Sequence, residues 1–337
     1  MPTHRISAPY LLFLGDAPDQ LSAKTAEGVA TWRRDDCIGQ LRFKDCKADL
    51  GLPDMTVRKA AEAGAKTLVI GIANRGGSIG REWLETMHAA LDVGMDIAAG
   101  LHHRLCDIPS LHDRAQDMGR RLHDVRHPPA ELPIGTGQPR SGKRVLTVGT
   151  DCSVGKMYTA LHIAEEMQLR GVPRTFRATG QTGILIAGSG LSVDAVVSDF
   201  ISGAVELLAP AADDDHWDVI EGQGSLMHPS YAGVSLGLLH GAAPDALILC
   251  HEPTRPHMRG LPDQAMPDLD AVLDLNEKCA RLTNPAARVV GLSINTRAME
   301  QAEAEDYLQG LADRYDMPAC DPGRTTASDL VDAILAE

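Results

Sequence analysis

The chain has 337 residues, 44% of them hydrophobic and 23% charged, which are the proportions of a soluble globular protein long enough for two domains. Lys and Arg number 32 against 46 Asp and Glu, and the net charge of −14 argues against a nucleic-acid partner or an anionic membrane surface while leaving room for a small anion held by a local basic cluster. Seven cysteines without a C-x-x-C pair fit reduced thiols better than a disulfide framework or a zinc site, and with no signal-peptide pattern and no apolar run of about twenty residues a cytoplasmic protein is expected.

In chain order, Tyr10–Leu14 reads as a buried strand and Met55–Ala63 as a helix. Thr67–Ile72 is a strand running into the loop Ala73–Ser78. Glu82–Leu91, Asp96–Ala99 and Ile108–Met118 continue the alternation as helix, strand and helix. This order predicts a mostly parallel, doubly wound α/β sheet in a first, Rossmann-like domain over 1–128. Residues 129–143 are rich in Pro and Gly, lack apolar periodicity and read as a linker. A second parallel α/β domain follows over 144–337. Its strands are expected at Val145–Val148, Arg174–Arg177, Val219–Ile220, Ala246–Cys250 and Val289–Ile294. Its helices are expected at Thr159–Arg170, Val193–Leu208, Gly233–His240, Met266–Cys279 and Ala302–Arg314.

The second domain opens on a phosphate-binding pattern. A β-branched run ends at Gly149, the loop Thr150, Asp151, Cys152, Ser153, Val154 follows, and Gly155-Lys156-Met157 leads into a helix. Free N–H groups at a helix N-terminus, the helix dipole and a lysine together attract an anion. Met157 stands where P-loops carry a hydroxyl for magnesium, and a thioether is a poor ligand for a hard cation. Thr159 points about 200° away around a helix and is an imperfect substitute. The loop therefore suits cradling phosphate better than magnesium-dependent hydrolysis. Further on, Asp218-Val219-Ile220 delivers Glu221 to a Gly222-Gln223-Gly224 turn at a strand's C-terminal end, the edge where parallel sheets bind ligands. A carboxylate there holds a metal or acts as a base.

The P-loop and the Glu221–Gly224 turn resemble those of dethiobiotin synthetases, which couple ATP to carboxylation of an amine. A closer resemblance runs over nearly the whole length. It rests on Gly71–Gly77, Gly100-Leu101-His102, Asp124-Val125-Arg126, Gly149–Met157, Arg177–Gly183, Asp199-Phe200 and Glu221–Gly224. On these the chain is similar to a family with an N-terminal Rossmann-like and a C-terminal P-loop domain, whose members include DgcN-type D-glutamate N-acetyltransferases. Met157 fits that family's loop, whereas Tyr158 departs from the small hydroxyl expected there. The resemblance implies acetyl transfer to the amine of D-glutamate or a related D-amino acid, with acetyl-CoA as cosubstrate.

Acyl transfer needs a deprotonated amine, a nearby base and donors for an oxyanion. Glu221 is the first choice as base, and His228 and His102 follow. Gly222–Ser225 and Gly180–Gly183 offer backbone donors. Arg177, Arg75 and Arg255, with Thr179, Gly180, Gln181 and Thr182, are the expected substrate binders, since a guanidinium fork matches carboxylates. Asn295 ends a strand where the synthetase relatives keep an Asn near adenine. No metal site is expected, because the adjacent His102-His103 pair is ill-suited to chelate one ion. Cys152 lies close enough to Lys156 for its pKa to be lowered. A small-molecule partner and a homo-oligomer are expected. The rival readings are an ATP- and magnesium-dependent ligase or carboxylase and a non-catalytic nucleotide- or CoA-binding module.

Overall fold

Short apolar runs with β-branched residues alternate with amphipathic segments in both halves of the chain, and each such run becomes a strand of a parallel sheet. A computed structural model describes residues 6–72, 79–129 and 131–336. These fall into two units, Met1–Pro129 with Gly180–Ala195, and Ala130–Thr179 with Val196–Glu337. No helix among the described residues is long and apolar enough to cross a membrane.

The first unit contains β1 (Tyr10–Gly15), α1 (Lys24–Trp32), β2 (Cys37–Arg42), α2 (Val57–Glu62), β3 (Thr67–Ile70), α3 (Arg81–Asp92), β4 (Asp96–Ala99), α4 (Pro109–Asp117) and β5 (Leu122–Asp124). The sheet order is β2-β1-β3-β4-β5, with every pair parallel. Tyr10 of β1 lies opposite Cys37 on one side and Thr67 on the other, so this wholly apolar strand is covered on both edges. Three of the unit's aromatics cluster: Phe13 meets Phe43 and Trp83 edge-on at 5.4 and 5.2 Å between ring centroids.

The second unit contains β6 (Lys143–Gly149), α5 (Lys156–Leu169), β7 (Arg174–Arg177), α7 (Ile201–Leu208), β8 (Trp217–Ile220), α8 (Ala232–Ala242), β9 (Ala246–His251), α9 (Leu269–Ala280), β10 (Arg288–Ile294), α10 (Gln301–Tyr315), β11 (Ala319–Cys320) and α11 (Ser328–Leu335). Its parallel order is β11-β10-β9-β6-β8-β7. The chain leaves β6 toward one edge and later returns to place β9 on its other side. The strand order therefore reverses at β6, and the C-terminal edge beside β6 is the crevice that such sheets use for ligands. The core behind it is aliphatic, built from Val145, Ile163, Met167, Val219, Ile248 and Leu330.

The Pro/Gly-rich stretch before β6 carries no helix or strand in its described residues, yet its side chains and amides are tied to the second unit. Thr136 and Gly137 donate backbone N–H groups to the Glu206 carboxylate at 2.8 Å. Arg140 donates to the carbonyls of Glu206 and Ala209 at the end of α7 and of Gly241 and Ala242 at the end of α8. A guanidinium satisfies helix C-terminal carbonyls and opposes the negative ends of both dipoles.

Between β7 and α7 the chain forms α6 (Gln181–Ala187), which belongs to the first unit. A Cβ on Gly100 would lie 2.6 Å from Gln181 Cβ, so α6 packs on the end of β4 only because that residue is glycine. Thr182 Oγ1 donates to Thr25 Oγ1 at 3.3 Å, Arg33 to the Ile186 carbonyl at 2.9 Å, and Arg126 to Gln181 and to the Asp194 carboxylate.

Three strands and three helices go beyond the sequence reading: β2, β5, β11, α1, α6 and α11. In β2 the polar Gln40 interrupts the apolar pattern. It is nonetheless 1% exposed, because Asp49, Asp54 and the Leu50 amide satisfy its side chain. The helix expected from Val193 begins only at Ile201, because Val197 takes an extended backbone (ψ 135°) and leaves short 3₁₀ turns on either side.

Candidate functional site

The loop at the end of β6 has the geometry of an anion cradle. Gly155 sits at φ +108°, a conformation that needs glycine, and Ser153 takes a left-handed φ of +56°. α5 starts at Lys156, so the N–H groups of its first turn have no acceptor within the helix. Lys156 is buried, and its Nζ donates to the Asp151 carbonyl at 2.7 Å. Burial pushes its ammonium pKa down, and a bound anion would oppose that shift. Thr159 donates no hydroxyl to the mouth. It faces the core, 2.7 Å from Ser293 Oγ and within reach of the Cys250 thiol.

Asp151 is the hub of the loop. It is fully buried, and its carboxylate accepts from Cys152 N at 2.6 Å, Arg255 Nη1 at 2.8 Å and Arg259 N at 2.7 Å. Arg255 also donates to the Cys152 and Ser153 carbonyls at 2.7 and 3.0 Å and pairs with Glu252. The guanidinium expected to grip substrate is thus engaged in shaping the loop. His228, expected as an alternative base, is 1% exposed. Its Nδ1 accepts from Ser230 N at 3.2 Å, and its Nε2 donates to the Arg259 carbonyl at 3.2 Å. Both ring nitrogens are thus engaged by the protein's own backbone. Thr150 Oγ1 lies 3.0 Å from Nδ1 of His251, whose pKa burial and the Arg255 charge lower to about 4.

Asp151, Cys152 and His228 place ligand atoms within 4.8 Å of one another. The chemistry of that set does not fit a cation. The carboxylate is already bonded to a guanidinium and two amides, the His228 lone pair is used, and burial pushes the Cys152 thiol up. The last point corrects the expectation of a lowered Cys152 pKa: desolvation outweighs the attraction of Lys156.

Glu221 follows β8 and lies beside the P-loop strand. Gly222 N donates to Thr147 Oγ1 at 2.9 Å, and a Cβ on Gly222 would lie 1.6 Å from the Thr147 carbonyl oxygen and 3.0 Å from Lys156 Cδ. Only glycine permits that approach. The Glu221 carboxylate, 4% exposed, accepts from Thr179 N at 2.9 Å and from Gln223 Nε2 at 3.2 Å. Thr179 Oγ1 donates to the Glu221 carbonyl at 2.6 Å. Neutral groups, an amide N–H and a carboxamide, supply these bonds to the carboxylate.

Arg177 and Asn295, also expected at the site, are engaged by neighbouring groups. Arg177 donates from Nε to the buried Asp218 at 2.7 Å, two residues back from its strand neighbour Ile220. Asn295 Oδ1 accepts from Arg297 N at 3.3 Å and closes a local turn. Gly180, Gln181 and Thr182 open α6 in the first unit. His102 is exposed just after β4 in that same unit. Arg75 lies outside the described residues. Sequence reasoning missed Arg259, whose guanidinium bonds Ser153 Oγ at the tip of the loop. The signal was available: Arg255 and Arg259 both follow β9, one of the two strands flanking the point where the order reverses.

Known proteins resemble the chain over most of its length. Residues 133–331 match the model of a P-loop domain of unknown function, DUF1611_C, and residues 41–128 match the Rossmann-like domain DUF1611_N. The chain is 56% identical over 331 residues to a D-glutamate N-acetyltransferase of Tritonibacter scottomollicae, covering 98% of this chain and 99% of the relative. It is 47% identical over 332 residues to a protein of the same name from a Pseudoalteromonas species, with the same coverage. Among solved structures, a DUF1611 family protein from Anabaena variabilis superimposes with a TM-score of 0.88 at 31% identity, covering 98% of this chain and all of the other.

Proposed function

The chain belongs to the DUF1611 family, and from that premise we propose that it is a D-glutamate N-acetyltransferase using acetyl-CoA as donor. The observation that carries this reading is identity of 56% and 47%, over almost the full length, with two proteins of that name. The site chemistry supports it. The loop amides and Lys156 hold the pyrophosphate of CoA without needing a metal at Met157. Glu221 accepts a proton from the substrate ammonium. The amine nitrogen then attacks the thioester carbonyl carbon, the C–N bond forms and the C–S bond breaks. The nitrogen gives up its second proton as the thiolate leaves and takes one up, giving N-acetyl-D-glutamate and CoA, and Glu221 returns its proton to solvent. Thr179 and Gln223 keep the Glu221 carboxylate aimed during the transfer. The cytoplasm supplies acetyl-CoA and suits seven free thiols.

Mass spectrometry tests this directly. The purified protein is given acetyl-CoA with D- or L-glutamate in EDTA, and in parallel ATP, magnesium and bicarbonate. N-acetyl-D-glutamate and free CoA are expected in the first mixture. ADP formed only in the second would replace the transferase with a ligase. Glu221→Gln is expected to lower kcat roughly 10²- to 10⁴-fold with CoA binding retained. Loss of binding at an intact maximal rate would remove Glu221 from the base role.

A further inference from the structure

We propose that Arg259 is a phosphate-binding residue, which supplies at the loop mouth the second positive charge that a magnesium ion supplies in hydroxyl-bearing P-loops. The proposal rests on the reading of the loop as the holder of a CoA pyrophosphate. Four observations carry it.

The backbone of Arg259 is pinned on both sides by buried groups. Its N–H donates to Asp151 at 2.7 Å, and its carbonyl accepts from His228 at 3.2 Å. Two side chains that are 0% and 1% exposed thus fix the position of one arginine. The neighbouring Met258 is buried and its N–H donates to the Gln264 carbonyl at 2.8 Å, so the segment is folded onto itself.

The guanidinium then reaches the tip of the loop, where it bonds the hydroxyl of the exposed Ser153. The two arginines of this segment differ in charge balance. Arg255 is neutralised by Asp151 and Glu252. Among the described residues no carboxylate pairs with Arg259. A guanidinium without a described carboxylate partner, beside the N-terminal turn of α5, offers its planar fork to a phosphate.

The usual source of that charge is missing from the residues themselves. Met157 follows the lysine, the Thr159 hydroxyl is turned into the core, and Asp151 is occupied by Arg255. Two phosphates of a pyrophosphate then have Lys156 for one and Arg259 for the other. His228 becomes a positioning residue that acts through the Arg259 backbone.

Calorimetric titration tests the proposal with CoA, dephospho-CoA, ADP and phosphate-free pantetheine, all in EDTA. Arg259→Gln is expected to weaken CoA, dephospho-CoA and ADP alike by about tenfold and to leave pantetheine unaffected. The KM for acetyl-CoA should rise by a similar factor, with kcat at saturation moving less. Arg259→Lys should recover part of the loss. Circular dichroism and urea unfolding of each variant establish that it is folded. Unchanged affinity of Arg259→Gln for all three phosphate ligands would overturn the assignment, as would wild-type affinity rising tenfold or more on adding magnesium. If the wild type binds ADP but not CoA and Arg259→Gln loses ADP, the phosphate role stands and the acetyl-CoA reading falls. If CoA binds wild type and variant equally, the acetyl-CoA reading stands and the Arg259 role falls.

Discussion

Replacing Gly222 by alanine should be among the most damaging small changes available in this protein. The new methyl carbon would lie 1.6 Å from the Thr147 carbonyl oxygen and 2.8 Å from its carbon. That carbonyl belongs to β6, which is hydrogen-bonded to β8 on one side and β9 on the other, so it has no room to retreat. The turn after β8 must instead move by roughly 1.5 Å to restore van der Waals contact. Overpacking that side chains can relieve costs about 1–3 kcal/mol, and a clash with backbone belongs at the top of that range. The same movement breaks the Gly222 N–Thr147 Oγ1 bond, worth about 1 kcal/mol more. A total near 4 kcal/mol is a large share of a typical stability of about 5–15 kcal/mol. Urea unfolding measures the loss, and CoA titration measures the accompanying displacement of Lys156 and Glu221. Gly233→Ala is the control: that glycine lies in α8 with nothing within 4 Å of its Cβ position, and the change should gain about 0.5–1 kcal/mol. If Gly222→Ala unfolds within about 1 kcal/mol of wild type and binds CoA normally, the close approach of the two strand ends is not what the geometry indicates.

Two further outcomes are expected. His251 titrates at about 4 in the folded protein against 6.5 unfolded, so between those values the unfolded chain binds a proton that the folded one refuses. Stability should therefore fall as pH drops through that window, by about 3 kcal/mol in total. His251→Gln should remove that component when urea unfolding is compared at several pH values, and an unaltered pH dependence would refute it. Arg177→Gln should cost up to about 3 kcal/mol of stability, because it removes the guanidinium from the 2%-exposed Asp218 and leaves it His216 at 3.5 Å. A raised KM for D-glutamate at unchanged stability would restore Arg177 to the substrate site.

The parallel α/β architecture was legible because buried strands of such sheets are continuous apolar runs, as in Tyr10–Leu14 and Ala246–Cys250. The P-loop domain and the position of Glu221 at a strand end were legible because glycine spacing and strand boundaries are local features. What escaped was long-range. Nothing around Arg177 signals that a buried Asp218 awaits it on the next strand. Nothing near His228 announces the Arg259 carbonyl thirty-one positions later. Gly180–Thr182 reads as a loop because its helix is short and gains its stability from the end of β4 and from α1 rather than from its own residues.

The placement of α6 also bears on how the protein is made and how its gene can change. The five strands of the first sheet all precede residue 129, but Gln181, which fits against Gly100, and Asp194, which meets Arg126, come only after β6, α5 and β7 have been synthesised. A nascent chain therefore carries an unfinished first unit across the ribosomal synthesis of the second unit's opening segment, Ala130–Thr179. Cutting the gene at the Pro/Gly-rich stretch would leave Gly100 facing an empty groove and Arg126 without its carboxylate. Recombination between relatives at that point would separate residues that have to change together, so the two halves are expected to be inherited as one block.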